Sequence, residues 1–267
     1  MMNKCCYVCV LSTDDYLKGI LVLNENLKHL NTKYDLLCLI NNNILLETRR
    51  ILEFFGIKYK VIDEISYDSI NVENPYWIYT FDKINIFSLV EYDKIVYLDS
   101  DLLILNNIDE LFDYNSLSMC KDAPFSELFD TGVIVLNPNL DDYNKMKDLV
   151  RIQDTKNQKI SDQNIINEYF NGKINQLDQI YNEMRIIWDY DFKTNFIECY
   201  DNYIDAKIYK KNVELRLKTE NPKILHYIGQ SKPFNINGMA NEKYSYLYIY
   251  YLSIIDDKLK EFDINGE

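Results

Sequence analysis

The sequence predicts an α/β fold with a mixed, mostly parallel central sheet flanked by helices. Three observations carry this expectation. Apolar runs of strand length alternate with stretches of helical spacing through the first half of the chain. A pair of carboxylates, Asp99 and Asp101, follows directly on one of those runs, at the strand end where open α/β sheets bind ligands. The 267 residues are 47% hydrophobic and 27% charged, enough for one sizeable core. Residues 1–267 are therefore read as one domain.

The elements follow in order. Residues 5–11 form an apolar first strand, and Ser12, Thr13 and Asp14 offer cap side chains for a helix whose inner face is Ile20, Leu23, Leu27 and Leu30. Residues 34–40, 45–55 and 58–62 read as strand, helix and strand. Pro75 opens a further predicted helix bearing Ile78, Phe81, Ile84, Phe87 and Leu89. Residues 94–98 are a fourth strand, ending on Asp99. Residues 131–136 are another, closed by Asn137 and Pro138 and followed by a helix over 141–150. The stretch 181–218 shows no clear period. Near the C-terminus Tyr244, Leu247, Tyr248, Tyr251, Leu252, Ile255 and Leu259 recur at helical spacing. That predicts a helix over about 241–262 that packs on the core or pairs two copies of the chain.

Charge and composition narrow the function. A formal net charge of −13 argues against nucleic acid, which wants clustered Lys and Arg. It leaves room for one small diphosphate neutralised locally by a divalent cation. Cys5, Cys6 and Cys9 lie in the first strand without a second Cys/His pair at zinc-ligand spacing, so they read as core thiols. No signal sequence is visible, and the longest apolar run, 244–255, falls short of the roughly 20 residues a span requires. The expected compartment is the cytoplasm, with no membrane partner.

Three segments could carry chemistry. Alternate residues of an extended segment point the same way, so Asp99 and Asp101 could converge on one cation with Ser100 between them. The plain alternative is a solvated turn. The apolar flanks 95–98 and 102–105 weigh against it, because carboxylates held between buried segments carry a desolvation cost that a metal offsets. His226, one of two histidines, ends an apolar run and is followed by Gly229, which permits close backbone approach, and by Lys232, a point charge suited to phosphate. A nitrogen ligand beside two carboxylates suits manganese better than calcium. Ser161 reads as the N-cap of a helix that brings Asp162 and Gln163 into its first turn. Lys83 reads locally as an ordinary helix lysine, and His29 has no assigned role.

Taken in order, these segments resemble glycogenin and its relatives among the family-eight retaining glycosyltransferases. The matching segments are Leu11-Ser12-Thr13-Asp14-Asp15-Tyr16-Leu17-Lys18-Gly19, Phe81-Asp82-Lys83-Ile84-Asn85, Tyr97-Leu98-Asp99-Ser100-Asp101, Phe129-Asp130-Thr131-Gly132-Val133, Ser161-Asp162-Gln163, and the run from His226 to Phe234. The resemblance implies a GT-A fold, a UDP-sugar donor with UDP-glucose favoured, a manganese ion (Mn2+), a glycan or protein acceptor, and retention of anomeric configuration. By the same resemblance Asp99, Asp101 and His226 take the metal, while Gly229 and Lys232 face the diphosphate. Val10, Leu11, Ser12, Thr13 and Tyr16 line the uridine pocket. Lys83, Asp122, Asp130, Asp162 and Gln163 surround the donor sugar, Asp162 or Gln163 lying beneath the anomeric carbon. Asp130 stands where relatives usually carry Asn, exchanging an amide for a group that only accepts. UDP-galactose or UDP-N-acetylglucosamine, used on a separate glycan acceptor, remain alternative donors, and a catalytically silent nucleotide-sugar-binding scaffold is the alternative outside the enzymes. Tyr200, Tyr203 and Tyr209 lie where glycogenins carry a self-glucosylated tyrosine.

Overall fold

The computed structural model describes residues 4–65, 75–122, 126–156, 160–186, 221–229, 232–234 and 245–265. Strands β1 (Cys5–Leu11), β2 (Leu36–Ile40), β3 (Lys58–Val61), β4 (Lys94–Leu98), β6 (Ser118–Lys121), β7 (Phe129–Leu136) and β8 (Asn175–Gln176) form a seven-stranded sheet in the order β3-β2-β1-β4-β7-β6-β8. Strands β3 through β4 are parallel, β7 runs antiparallel to both β4 and β6, and β8 is parallel to β6. The sheet is thus mixed and mostly parallel, as the sequence predicts. Because β2 and β3 lie to one side of β1 and β4 to the other, the strand order reverses between the parallel neighbours β1 and β4. A crevice at their carboxyl ends is the usual ligand site of such sheets.

Helices α1 (Leu17–His29), α2 (Leu46–Phe54), α3 (Leu140–Thr155), α4 (Asp162–Tyr169) and α5 (Ser245–Asn265) flank the sheet. Strand β1 shows why both faces are covered: alternate side chains enter different cores. Tyr7, Cys9 and Leu11 join a cluster with Ile20 and Leu23 of α1 and Tyr248 and Ile255 of α5. Cys6 and Val8 join the opposite cluster with Phe81, Ile84 and Phe87, Met146 of α3 and Ile165 of α4. Cys6 and Cys9 are therefore core residues with Cys5 partly buried beside them, and none of Cys5, Cys6, Cys9, Cys38 and Cys120 is in a disulfide.

Two local differences from the sequence reading have physical causes. The stretch Pro75–Ser88 is a 3-10 helix rather than an α-helix. Phe81, Ile84 and Phe87 are spaced by three, the period that lines up one face of a three-residue turn, and all are buried. The first α-helix begins at Leu17 after a 3-10 turn over Asp14–Tyr16, with no side-chain cap. The Ser12 hydroxyl donates instead to Asp82 Oδ2 (2.8 Å) and the Tyr79 carbonyl (3.3 Å).

A second sheet of three strands positions the site. Strand β5 (Leu102–Ile104) pairs antiparallel with β10 (Ile224–Ile228), which pairs parallel with β9 (Glu183–Ile186). Leu102 stands opposite His226, and the Tyr227 N–H donates to the Asp101 carbonyl at 3.0 Å. The pairing fixes Asp101 beside His226. Helix α5 packs on α1 through Tyr248, Tyr251 and Ile255 and leaves Tyr246, Ile249 and Tyr250 exposed. Among the described residues, no helix is long and apolar enough to cross a membrane.

Candidate active site

Strand β4 delivers Asp99 to the crevice, and the turn into β5 delivers Asp101 two residues later. His226 arrives from β10. One ligand atom from each of Asp99, Asp101 and His226 lies within 4.8 Å of the others. His226 Nε2 is 3.2 Å from Asp101 Oδ1 and 3.8 Å from Asp99 Oδ2. The first contact lacks hydrogen-bonding alignment, so Asp101 Oδ1 is a buried oxygen without a hydrogen-bond partner. Orphaned buried acceptors are rare, and an ion is a standard resolution. Two carboxylates, one imidazole and an unmatched oxygen fit a divalent cation.

Cations of the protein itself hold the remaining faces. Lys232 Nζ lies 2.5 Å from Asp101 Oδ2 and donates to the Tyr227 carbonyl at 2.9 Å. On the other side Lys83 Nζ lies 3.0 Å from Asp162 Oδ2 and 3.1 Å from Asp99 Oδ1. It also meets the Thr131 carbonyl and hydroxyl, each at 3.2 Å. The Thr131 hydroxyl in turn donates to Asp162 Oδ2 at 2.8 Å, and the Tyr97 hydroxyl donates to Asp99.

The two metal-turn carboxylates differ in character. Burial would raise both. At Asp101 the neighbouring Lys232 and His226 outweigh burial and hold the carboxyl well below its usual range. At Asp99 burial wins: Lys83 pulls its pKa down, Asp101 pushes it up, and the net direction is upward. For His226 burial favours the neutral ring, but Asp101 and Asp130 outweigh it and push the pKa up to about 10. A cation bound by Nε2 must displace that proton, so metal binding and protonation compete at this ring.

Close approaches fix the surrounding backbone. A Cβ at Gly19 would lie 2.2 Å from the Ser100 carbonyl oxygen and 2.9 Å from the Phe234 ring, so only glycine lets α1 reach the Asp99-Ser100-Asp101 turn. A Cβ at Gly132 would lie 2.5 Å from His226 Cε1, so β7 must be bare there to admit the imidazole. Gly229 has φ of 91°, a conformation that favours glycine.

The sequence-derived residues fall into place unevenly. Asp99, Asp101, His226, Lys83, Lys232, Asp162 and Asp130 form one cluster, buried except for the partly exposed Asp99. Ser100 is partly exposed within it, and Gly229 is exposed just beyond β10. Gln163 occupies the first turn of α4, where Ser161 has the extended backbone of an N-cap. Tyr16 and Phe234 meet edge to face at 5.6 Å between centroids, while Val10, Ser12 and Thr13 are partly exposed at the end of β1. Leu11 is wholly buried, so its side chain belongs to the core and only its backbone can face a ligand. Asp122 follows β6, where its N–H donates to the Leu128 carbonyl at 2.9 Å. Tyr200, Tyr203 and Tyr209 lie outside the described residues.

Sequence reasoning missed several participants. Asp82 is fully buried and accepts from Ser12, from Asn41 Nδ2 (3.3 Å) and from the Ile65 N–H (3.2 Å), tying the end of β1 to the segment that carries Lys83. Asn182 touches His226 but sits in the stretch without a readable period. Tyr97 was accessible to reasoning, since a period of two puts it on the same side of β4 as Asp99.

Comparison with known proteins defines the class first. The chain overlays the galactosyltransferase LgtC, solved with donor and acceptor sugar analogues, at a TM-score of 0.66 and 17% identity, over 94% of this chain and 95% of that one. It overlays the glycosyltransferase GlyE of Streptococcus pneumoniae at 0.65 and 21%, over 98% and 65%. These likenesses establish the GT-A glycosyltransferase fold. The profile of Glycosyl transferase family 8 matches residues 7–237, and the chain belongs to that family. It is similar to Glycogenin-1 of Mus musculus, 28% identical over 238 residues, 88% of this chain and 66% of that protein. It is also similar to Glycogenin-1 of Caenorhabditis elegans, 30% identical over 86% of this chain and 50% of that one. The chain thus spans two thirds or less of the length of these relatives.

Proposed function

We propose that the protein is a retaining glycosyltransferase that moves a hexose, glucose in the first instance, from a UDP-sugar to a hydroxyl of a glycan or of a protein tyrosine. The observation that carries this reading is the convergence of Asp99, Asp101, His226 and Lys232 at the carboxyl ends of β4 and β10. A manganese ion held by the first three would neutralise charge developing on the departing diphosphate. Lys232 supplies fixed positive charge to the same group, and the bare backbone at Gly229 allows close approach. The partly exposed ends of β1, with Tyr16 against Phe234, offer the base an aromatic-edged pocket. Asp162 and Gln163 at the head of α4 face the sugar in this reading, with Lys83 fixing the Asp162 carboxylate. Cysteines outside any disulfide among the described residues fit a reducing cytoplasm.

Galactose is the second donor to test, because the fold overlays a galactosyltransferase over nearly its whole length. A panel of UDP-glucose, UDP-galactose and UDP-N-acetylglucosamine with manganese tests the reading, scored by UDP release and by product NMR. The expected result is turnover with one hexose donor and an α-linked product. Intact-mass spectrometry of the same mixtures shows whether hexose-sized increments accumulate on the protein itself. A β-linked product, or no turnover with any donor, would overturn the proposal.

A further inference from the structure

His226 is held by Asn182 and Asp130 on its Nδ1 side, away from Asp99 and Asp101. Its Nδ1 lies 2.9 Å from Asn182 Oδ1 and 3.4 Å from Asp130 Oδ1. Asn182 Nδ2 donates to Asp130 Oδ1 at 2.6 Å, and the Gly132 N–H donates to the same oxygen at 2.8 Å. Asn182 is fully buried and Asp130 nearly so. The chemistry of this triangle is directional. A carboxylate only accepts, so the Asn182 amide must turn its NH2 toward Asp130. Its oxygen then faces the imidazole, and both neighbours of Nδ1 are acceptors. A neutral ring in that setting keeps its proton on Nδ1 and leaves the Nε2 lone pair aimed at Asp99 and Asp101. Gly132 makes room for the ring in that orientation, since a side chain there would strike Cε1 and Nδ1.

The geometry points to an Asp130–Asn182 clamp that fixes the tautomer and tilt of His226, making both residues positioning residues for the cation site. The charge at position 130 is what gives the clamp its sense. An amide there could present either face to Asn182, and the orientation of the whole relay would no longer be set. Outer partners of metal-bound histidines commonly govern affinity by 10- to 100-fold. This inference rests on the metal assignment above, and its test separates the two.

Calorimetric titration of manganese into the native protein, Asn182→Ala and Asp130→Asn provides the first arm. Asn182→Ala is expected to weaken binding by about 10- to 100-fold and Asp130→Asn by about 10-fold. The melting temperature is recorded alongside. A merely structural Asn182 would lower the melting temperature and leave the affinity of the folded protein unchanged. The second arm needs no variant of the clamp. The chain has two histidines, so nitrogen-15 NMR of the ring nitrogens, with His29→Gln for assignment, reads the tautomer of His226 in the magnesium-loaded protein. A protonated Nδ1 is expected. Affinities within twofold of native in both variants would overturn the clamp alone, whereas a protonated Nε2 in the loaded protein would remove His226 from the metal ligands and the clamp with it. Absence of any manganese binding by the native protein would remove the metal assignment and the clamp together.

Discussion

Asp101→Asn should lower turnover at least ~100-fold under saturating donor and manganese, the scale of a lost preorganised charge at a developing anion. The substitution keeps the shape of the side chain and changes two interactions. Oδ1, the buried oxygen without a hydrogen-bond partner, loses its charge and with it most of its value as a ligand. Lys232, 2.5 Å from Oδ2, loses the carboxylate that compensates its own burial. Since Lys232 and His226 hold Asp101 well below the usual carboxyl range, the native group is ionised throughout the neutral region. The effect should therefore not depend on pH between about 6 and 8. Single-turnover kinetics with a parallel thermal melt measure it, and a loss confined to stability would place Asp101 outside the chemistry.

Lys83→Met should cost more in stability than in any single contact it removes. Lys83 is the buried cation between Asp99 and Asp162, and its removal leaves two carboxylates facing each other across Thr131. Breaking one side of a buried pair costs about 3–5 kcal/mol. For a chain of this size that corresponds to a fall in melting temperature of roughly 10 °C. The pH dependence has a definite sign. Burial already holds the pKa of Asp99 above its ordinary value despite Lys83, and losing the lysine raises it further. A carboxyl that binds its proton more tightly folded than unfolded destabilises as pH rises through its range. The deficit should be largest near neutrality and shrink on acidification toward pH 5. Thermal melts at pH 5 and pH 7.5 measure it, and a uniform deficit would contradict the buried-pair explanation.

Much of this site is readable in the chain because its parts are strongly patterned. Strands β1 and β4 are buried on both faces, so they appear as unbroken apolar runs, and the acids after β4 stand out against them. His226 and Lys232 are conspicuous for the same reason. Lys83 is not, because the charges that need it come from β4 and α4, distant in sequence and brought together only by the sheet order. Asp130 is legible as a residue and not as a neighbour. Its partner Asn182 falls just before β9, a strand whose pairing with β10 leaves no short-range signature. The 3-10 geometry of Pro75–Ser88 is not legible in the sequence, because spacings of three also belong to a helical pattern.

Calorimetric titration of UDP into the native protein, with manganese and again in excess chelator, tests most directly whether Asp99, Asp101 and His226 hold a cation that grips the donor diphosphate. UDP should bind at least about tenfold tighter with manganese, a difference of ~1.4 kcal/mol or more, and Asp101→Asn should abolish most of that difference. Equal affinity for UDP in manganese and in chelator would contradict the assignment of this site.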